Sequence, residues 1–557
     1  MTNFVFIKWS YLITMERFIQ TQNSGEFDLI IVGGGITGAT LAYEASLKGL
    51  KVALFEKGDF GGATSSATSK LIHGGLRYLK NLEFGLVRES LRERKILSNI
   101  APNFVYPLPF MIPTFTSLKS NKWVLMSGML MYDWLSYDKG RTWDSSKKLP
   151  RFRVYSSKKT RELESCVKNK GLTGSDVYYD CQNIFPERLT LAFLKSAEKL
   201  GAKISNYAKV VSFLKKDNKV QGVIVKDEIN NIQGEFMAPV VVNCAGPWAD
   251  ILIKSATITE TKHTIRRSEG IHIITKKLCN NHAVSVMTKS QRHVMVMPWR
   301  NHSLIGTTDK EYIGSPDDYK VSKKSIQDLL DDVNANYSFP KLTYDNVLFY
   351  YGGLRPLADT ETENSYESSR KYEIFDNADE GLSGLLTVEG GKYTTSRQLA
   401  VKVMEKVSEK LKVKLPNVKS SERYLYGSEI KNLPDFINQL HNEYPGFQYN
   451  TIDYVGKNYG TESREIFKIA QDSPEMAEVL NKDGEILAEV AYAIEKESAL
   501  YLSDILFRRT GIGGLGHPGK DVLQKVASIA GKLLNWDKAT LDAEIQRAEE
   551  RFHLPEN

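Results

Sequence analysis

Gly33, Gly35 and Gly38 stand at a spacing that suits one task, holding a pyrophosphate against the start of a helix. Glycines there let the backbone turn tightly, let an anion approach the helix N-terminus, and let helix and strand pack closely. Glu56 follows about twenty positions later, where a carboxylate accepts hydrogen bonds from adenosine ribose hydroxyls. A glycine pattern alone is weak, since a glycine-rich turn with no ligand spells the same letters. Set between two strands and followed by the acid, it points to dinucleotide binding.

Residues 27–32 are a short β-branched apolar run, as a strand buried on both faces requires, and residues 39–45 predict the helix after the glycine turn. A second strand over 51–55 delivers Glu56 to its end. Gly61-Gly62-Ala63-Thr64-Ser65-Ser66 then brings small and hydroxyl residues toward the dinucleotide backbone. Residues 239–249, with Ala245, Gly246 and Trp248, and residues 304–309 repeat the strand-into-turn form. These separated pieces resemble the glutathione-reductase-like FAD fold, in its amino-acid-oxidase-like branch. The resemblance implies FAD rather than NAD and a FAD domain assembled from several chain segments.

Residues 69–79 (SKLIHGGLRYL), 351–357 (YGGLRPL), 368–372 (SSRKY) and 388–397 (VEGGKYTTSR) are sharper still. They resemble the signatures of FAD-dependent glycerol-3-phosphate dehydrogenases, and 504–510 (DILFRRT) resembles the C-terminal helical region of that family. By motif order the likeness runs from Phe27 to the C-terminus. It implies oxidation of sn-glycerol 3-phosphate to dihydroxyacetone phosphate by hydride transfer from C2 to flavin N5, with a quinone as acceptor.

The same resemblance places Arg77, Arg355, Arg370 and Lys392 at the substrate, with Tyr78 adding a phenol. That set is coherent chemistry, because a phosphate monoester carries nearly two negative charges and wants bidentate and point cations together. A single arginine is more often a surface salt bridge; four in motif context are not. His272 is the candidate base for the C2 hydroxyl, against the plainer reading of a half-buried histidine on an alternating strand. Arg355 also suits a developing alkoxide. At the cofactor the resemblance implies Gly33, Gly35, Ile36, Thr37, Gly38, Glu56, Lys57, Thr64, Ser65, Ser69, Lys70, Leu71, His73, Val210, Ala245, Gly246, Trp248, Gly391, Lys392, Tyr393 and Thr394. Some related amine-oxidising flavoproteins attach FAD covalently through a histidine in a similar place; here His73 reads as a neighbour of the isoalloxazine. Lys392, before an apparent helix, suits negative charge on the reduced flavin's pyrimidine ring.

A chain of 557 residues with 41% hydrophobic and 25% charged residues is globular and holds two to four domains. The predicted class is α/β: a glutathione-reductase-like Rossmann FAD-binding domain (25–98, 183–253 and 381–409), an antiparallel-sheet substrate or cap domain (99–182 and 254–380), and an α-helical C-terminal domain (410–557), after an N-terminal extension (1–24). Within the last, 474–480 and 485–502 predict helices, as does 499–509. The net charge of +7 comes without basic runs, so nucleic acid is not an expected partner. Cys166, Cys181, Cys244 and Cys279 are scattered, so neither a disulfide framework nor a metal site is expected. Gly514 to Asp521 nearly spells a phosphate loop, but Asp521 stands where Ser or Thr must be and no strand leads in; a loop between helices is expected. No acidic calcium-binding loop is visible, which likens the chain to the bacterial form.

No transmembrane helix is expected, and residues 1–20 lack the pattern of a signal peptide, although they are apolar in patches. Met15 is an alternative start. Residues 119–137 mix Lys119, Lys122, Trp123, Met131 and Trp134 in a manner that suits a membrane interface or a helix packed inside the cap. The family resemblance implies a cytoplasmic protein, peripheral on the inner face of the cell membrane. The runner-up function is an oxidase on the same substrate that makes hydrogen peroxide; further off stand an amine or amino-acid oxidase and a flavin-binding sensor without turnover. The sequence leaves open the acceptor and the oligomeric state, a homodimer included.

Overall fold

The computed structural model describes residues 15–79, 81–116, 122–256, 264–288, 292–357 and 372–556. A six-stranded sheet forms its centre. Leu29–Val32 pairs in parallel with Val240–Asn243 on one side and Val52–Phe55 on the other. Leu385–Gly390 and Lys203–Ser205 extend the parallel array, and Tyr372–Asp376 closes one edge antiparallel. The three central strands are buried at every residue. That explains their continuous apolar runs: a parallel sheet is covered on both faces and has no side for polar residues.

The helices Ile36–Leu47, Pro186–Lys199 and Ser396–Leu411 cover one face through Leu41, Leu194 and Val403. The other face packs on a four-stranded sheet made of Ser24–Glu26, Ile232–Met237, Lys219–Asp227 and Ala208–Lys216. Phe18 and Ile19 enter this second core, and buried Arg17 donates to Asp227. Residues 15–20 are thus part of the packed fold and not a free apolar anchor, while residues 1–14 lie outside the described residues.

A ten-stranded sheet lies alongside, centred on Arg266–Lys276, His302–Gly306 and His293–Trp299, with Phe349–Leu357 paired to the first of these. The helix Lys323–Asn336 packs on it through Ile326, Leu329 and Leu330. The C-terminal domain is helical, with Leu433–Glu443, Tyr449–Tyr459, Ser463–Asp472, Ala488–Glu497, Lys520–Leu534 and Lys538–Phe552. Its core is continuous with Trp299, Leu304 and Phe349 of the large sheet.

Three expected helices differ. Residues 474–480 hold only the 3-10 turn Pro474–Ala477. The helix expected over 485–502 is Ala488–Glu497, stopped by Ser498 in left-handed conformation at φ +51°. Beyond it, Leu502–Asp504 gives way to a π-turn at Ile505–Arg509, where buried ion pairs outrank helical regularity. Lys520 and Asp521 open a helix instead of lying in the expected loop. Among the described residues no helix is long and apolar enough to cross a membrane.

Candidate active site

The glycine turn shows why no larger residue fits it. Gly33 sits at φ +107°, and a Cβ there would lie 2.6 Å from the Cys244 carbonyl oxygen. A Cβ on Gly38 would lie 1.9 Å from the carbonyl oxygen of Gly33. Gly35 caps the helix Ile36–Leu47 without a side chain, and no acidic residue occupies its first turn. Thr37 lies in that first turn. No carboxylate of its own first turn offsets the positive end of the helix, and a pyrophosphate fits it.

Glu56 stands at the end of its strand; its Oε2 accepts from Gly34 N–H (2.6 Å) and its Oε1 from Gly58 N–H (2.8 Å). Burial pushes its carboxyl up from the usual range, against the pull of those two N–H groups. Ser65 Oγ accepts from Ile36 N–H (2.9 Å), and the Thr64 hydroxyl donates to the Leu354 carbonyl (2.6 Å), tying the turn to the large sheet. Lys57 lies over the Trp248 ring (3.9 Å) and pairs with Asp317 (2.7 Å), which also accepts from Trp248 Nε1 (2.8 Å). Ala245 and Gly246 form the turn before Trp248, and Val210 is buried in the Ala208–Lys216 strand. At the far end Gly391 takes φ +92°, and Thr394 Oγ1 accepts from His73 N–H (3.2 Å). The Tyr393 hydroxyl donates to the Pro186 carbonyl (2.5 Å). Glycine cradle, helix N-terminus and half-buried acid fit a flavin dinucleotide.

Two polar clusters lie along the segment that starts at Ser69. In one, His272 occupies the Arg266–Lys276 strand, in register with Gly306 on one side and Tyr351 on the other. Its Nε2 lies 2.9 Å from Ser69 Oγ, its ring stacks on Tyr351 (5.0 Å), and its buried Nδ1 has no hydrogen-bond partner among the described residues. Arg355, on the neighbouring strand, donates to Thr307 Oγ1 (2.6 Å) and to the Thr308 carbonyl, with Asp309 3.5 Å away. Burial, then the charges of Arg355 and Lys70, hold His272 well below the ordinary histidine range. Lys70 is itself buried, with its ammonium 3.3 Å from Glu187 and over the Tyr351 ring (5.3 Å).

In the other cluster Arg77 donates to the Tyr78 hydroxyl (3.0 Å). Lys392 lies over the Tyr78 ring (4.6 Å) and donates to Ser90 Oγ (2.6 Å). Burial pushes the Lys392 ammonium down to about 7, and Arg77 adds to this while Glu89 opposes it. His73, between the clusters, is held at about 4 by burial, with Lys392 and Arg77 adding and Asp180 opposing. Arg370 lies outside the described residues.

Residues 28–397 match the model of the FAD dependent oxidoreductase family, and residues 418–541 match the C-terminal domain of alpha-glycerophosphate oxidase. A glycerol-3-phosphate dehydrogenase of Synechocystis sp. is 32% identical over 553 residues, spanning 96% of this chain and 98% of that one. An aerobic glycerol-3-phosphate dehydrogenase of Staphylococcus saprophyticus is 34% identical over 89% of this chain and 88% of its own. This chain belongs to the FAD-dependent glycerol-3-phosphate dehydrogenase family. The solved glycerol-3-phosphate dehydrogenase of Bacillus halodurans, complexed with FAD, superposes with a TM-score of 0.76 at 26% identity, covering 95% of this chain and 94% of that one.

Sequence reasoning passed over several residues that shape the site. Tyr351 supports His272 from below and donates to the Thr68 carbonyl (2.9 Å). Gly270 and Gly306 make room for Arg355 and His272. Glycines inside strand patterns were the available signal, because they mark close approach of another group. Asp180 accepts from Arg94, from Tyr132 (2.6 Å) and from Gly74 N–H (3.3 Å), fixing the turn between His73 and Arg77. No local pattern announces that network.

Proposed function

We propose that this chain oxidises sn-glycerol 3-phosphate to dihydroxyacetone phosphate. The reading is carried by one observation: buried His272, held by Ser69 (2.9 Å), and the Arg77–Tyr78–Lys392 cluster lie at the two ends of residues 69–78. FAD, when bound, supplies the acceptor for the hydride that leaves C2. Arg77 and Lys392, with Arg370 from the matched motif, hold the phosphate by charge, and the Tyr78 hydroxyl adds a hydrogen bond. His272 takes the proton of the C2 hydroxyl on its unprotonated nitrogen, and Arg355 stabilises the oxygen as charge develops there. Ser69 and Tyr351 fix the plane of the imidazole. In this reading residues 25–98, 183–253 and 381–409 form the cofactor domain, from which Arg77, Tyr78 and Lys392 reach the substrate, and 99–182 and 254–380 form the substrate domain.

Electrons pass on to a quinone, with the protein peripheral on the cytoplasmic face of the membrane. The helix Lys122–Leu135 supports this by exposing Leu130, Met131 and Trp134, followed by exposed Tyr137, over whose ring Arg88 lies (4.3 Å). Exposed apolar and aromatic side chains along one helix suit a membrane interface. Lys119 and the side chains of residues 122–124 lie outside the described residues.

The test is anaerobic addition of sn-glycerol 3-phosphate while absorbance near 450 nm is followed, the region of an oxidised flavin. Bleaching by this ester, and not by glycerol, the opposite enantiomer or an amino acid, is the expected result. A FAD-loaded sample that stays yellow overturns the reading. Reoxidation by a quinone analogue supports the quinone acceptor, and reoxidation by air alone replaces it with an oxidase.

A further inference from the structure

The motif at 504–510 takes no part in the chemistry above, yet it is among the most deeply buried charged segments of the chain. Arg509 is fully buried, and its two terminal nitrogens donate to Asp59 (2.8 and 2.6 Å). Arg508 donates to the same carboxylate and to Asp504. Asp504 in turn accepts from the Tyr207 hydroxyl (2.6 Å), and Asn206 Nδ2 donates to Asp59 (3.1 Å). Successive side chains of an α-helix point about 100° apart. The π-turn at Ile505–Arg509 departs from that geometry where Arg508 and Arg509 converge on one carboxylate. Functional π-turns are typically such local departures.

Asp59 matters because of what its loop touches. It lies three residues after Glu56, in the stretch that folds directly over the glycine turn. Gly61 N–H donates to the Gly34 carbonyl (3.0 Å), and Glu56 accepts from Gly34. A Cβ on Gly34 would lie 2.9 Å from both Glu56 Cβ and Phe60 Cδ1. Tyr207 N–H donates to the Gly58 carbonyl (2.8 Å), so the Asn206–Tyr207 pair holds the loop from its other side. Among the described residues, the charges paired with buried Asp59 are those of the two arginines of the C-terminal domain, and Asn206 adds a neutral hydrogen bond. Without them a carboxylate would be stranded in the interior, and the loop would have to open to hydrate it.

We infer that Arg508 and Arg509 are positioning residues for the flavin dinucleotide: the C-terminal domain sets the FAD affinity by clamping, through Asp59, the loop that carries Glu56. Arg188 joins the clamp to the helix Pro186–Lys199, donating to the Arg509 carbonyl (2.9 Å) and to Glu497. This gives the C-terminal helices a function at the cofactor, about which the reaction itself is silent. It rests on FAD binding and not on the identity of the substrate.

The test is the rate of FAD release from full-length holoenzyme, read as the rise of free flavin fluorescence after dilution. Arg508→Gln and Arg509→Met are expected to release FAD at least about tenfold faster than wild type, with activity lost on dilution regained on adding FAD; Arg508→Lys is expected to recover most of the retention. Leu523→Ala, a cavity variant in the core of the same domain, serves as the stability control. It is expected to lower Tm with FAD release unchanged. Arg509→Met is the more disruptive of the pair, so Arg508→Gln, whose side chain is 16% exposed, decides the matter if the former fails to fold. Wild-type release rates in Arg508→Gln, or equal acceleration in Leu523→Ala, overturn the inference. A wild-type protein that holds no FAD overturns the FAD reading itself.

Discussion

Gly306 gives His272 its place: a Cβ on Gly306 would lie 2.2 Å from Cδ2 of the imidazole that stands opposite it in register. Gly270 does the same for Arg355, where a Cβ would lie 1.9 Å from Nη2. Glycine inside a strand costs about 0.5–1 kcal/mol relative to alanine. Both positions accept that cost because the imidazole and the guanidinium need the space.

Gly306→Ala is therefore expected to lower kcat/KM by about 100-fold, the scale of a misplacement of about 1 Å, while circular dichroism and FAD content stay near wild type. Unchanged turnover in Gly306→Ala would show that the imidazole takes no part in the reaction.

The depressed His272 sets the acid limb. With its folded value well below 6.5, the imidazole stays neutral as pH falls through 6.5, and kcat/KM is expected to show no loss there from this group. His272→Asn should reduce kcat by about 10²–10⁴-fold. Stability follows the opposite course. The unfolded chain binds these protons below about 6.5 and the native chain does not, so stability falls as pH drops from 6.5, for His73 down to about 4. Thermal melts of His73→Gln across that window should show a shallower pH slope than wild type.

Lys392 sets the alkaline side of binding. Pushed down to about 7, its ammonium loses charge as pH rises past that point, so KM for the phosphate ester should climb above about pH 7. Lys392→Arg keeps its charge, and its KM should stay level over the same range. Parallel pH profiles of KM for the two enzymes that coincide would remove Lys392 from the phosphate.

Arg77→Met should raise KM for glycerol 3-phosphate by about 10- to 100-fold, since a charged hydrogen bond is worth about 1.5–3 kcal/mol. Its FAD content and melting temperature should stay near wild type. A parallel fall in either would mean that Arg77 acts on the fold and does not read the phosphate.

Glu497 accepts from Arg188 (2.9 and 3.0 Å) and from Lys195 (3.0 Å), all buried. Glu497→Ala strands the Arg188 charge, while Lys195 keeps Glu462, and is expected to cost about 3–5 kcal/mol, read as a lower urea midpoint. Arg188 and Lys195 hold the Glu497 carboxyl at about 2. Its stabilisation is complete above the unfolded value near 4.5 and is lost as pH falls toward 2. A Glu497→Ala midpoint equal to that of wild type would show that the pair contributes nothing net.

The dinucleotide unit was legible because its signals are local. Continuous apolar strands, the three spaced glycines and an acid at the next strand end each depend on neighbours within a few residues, and the observed sheet uses all of them. Arg77, Tyr78 and Lys392 were brought together only by the family resemblance, since no spacing pattern links positions more than three hundred residues apart. The helix ends at 474–480 and 485–509 were misplaced because residues such as Ala499 and Ile505 favour a helix in isolation. Buried partners for Asp59, Asp504 and Glu497 then bent the chain away from it.

By itself the sequence determined the cofactor class, the order of the segments and the residue types of the site, since glycine conformations, apolar runs and charges are properties of short stretches. Only the tertiary structure decided which nitrogen of His272 meets Ser69 and which glycines yield space to His272 and Arg355. It also decided that Arg508 and Arg509 reach across to Asp59. Those relations depend on burial and on distances between strands and domains far apart in the chain, and burial alone makes an unpaired charge costly enough to dictate where the backbone goes.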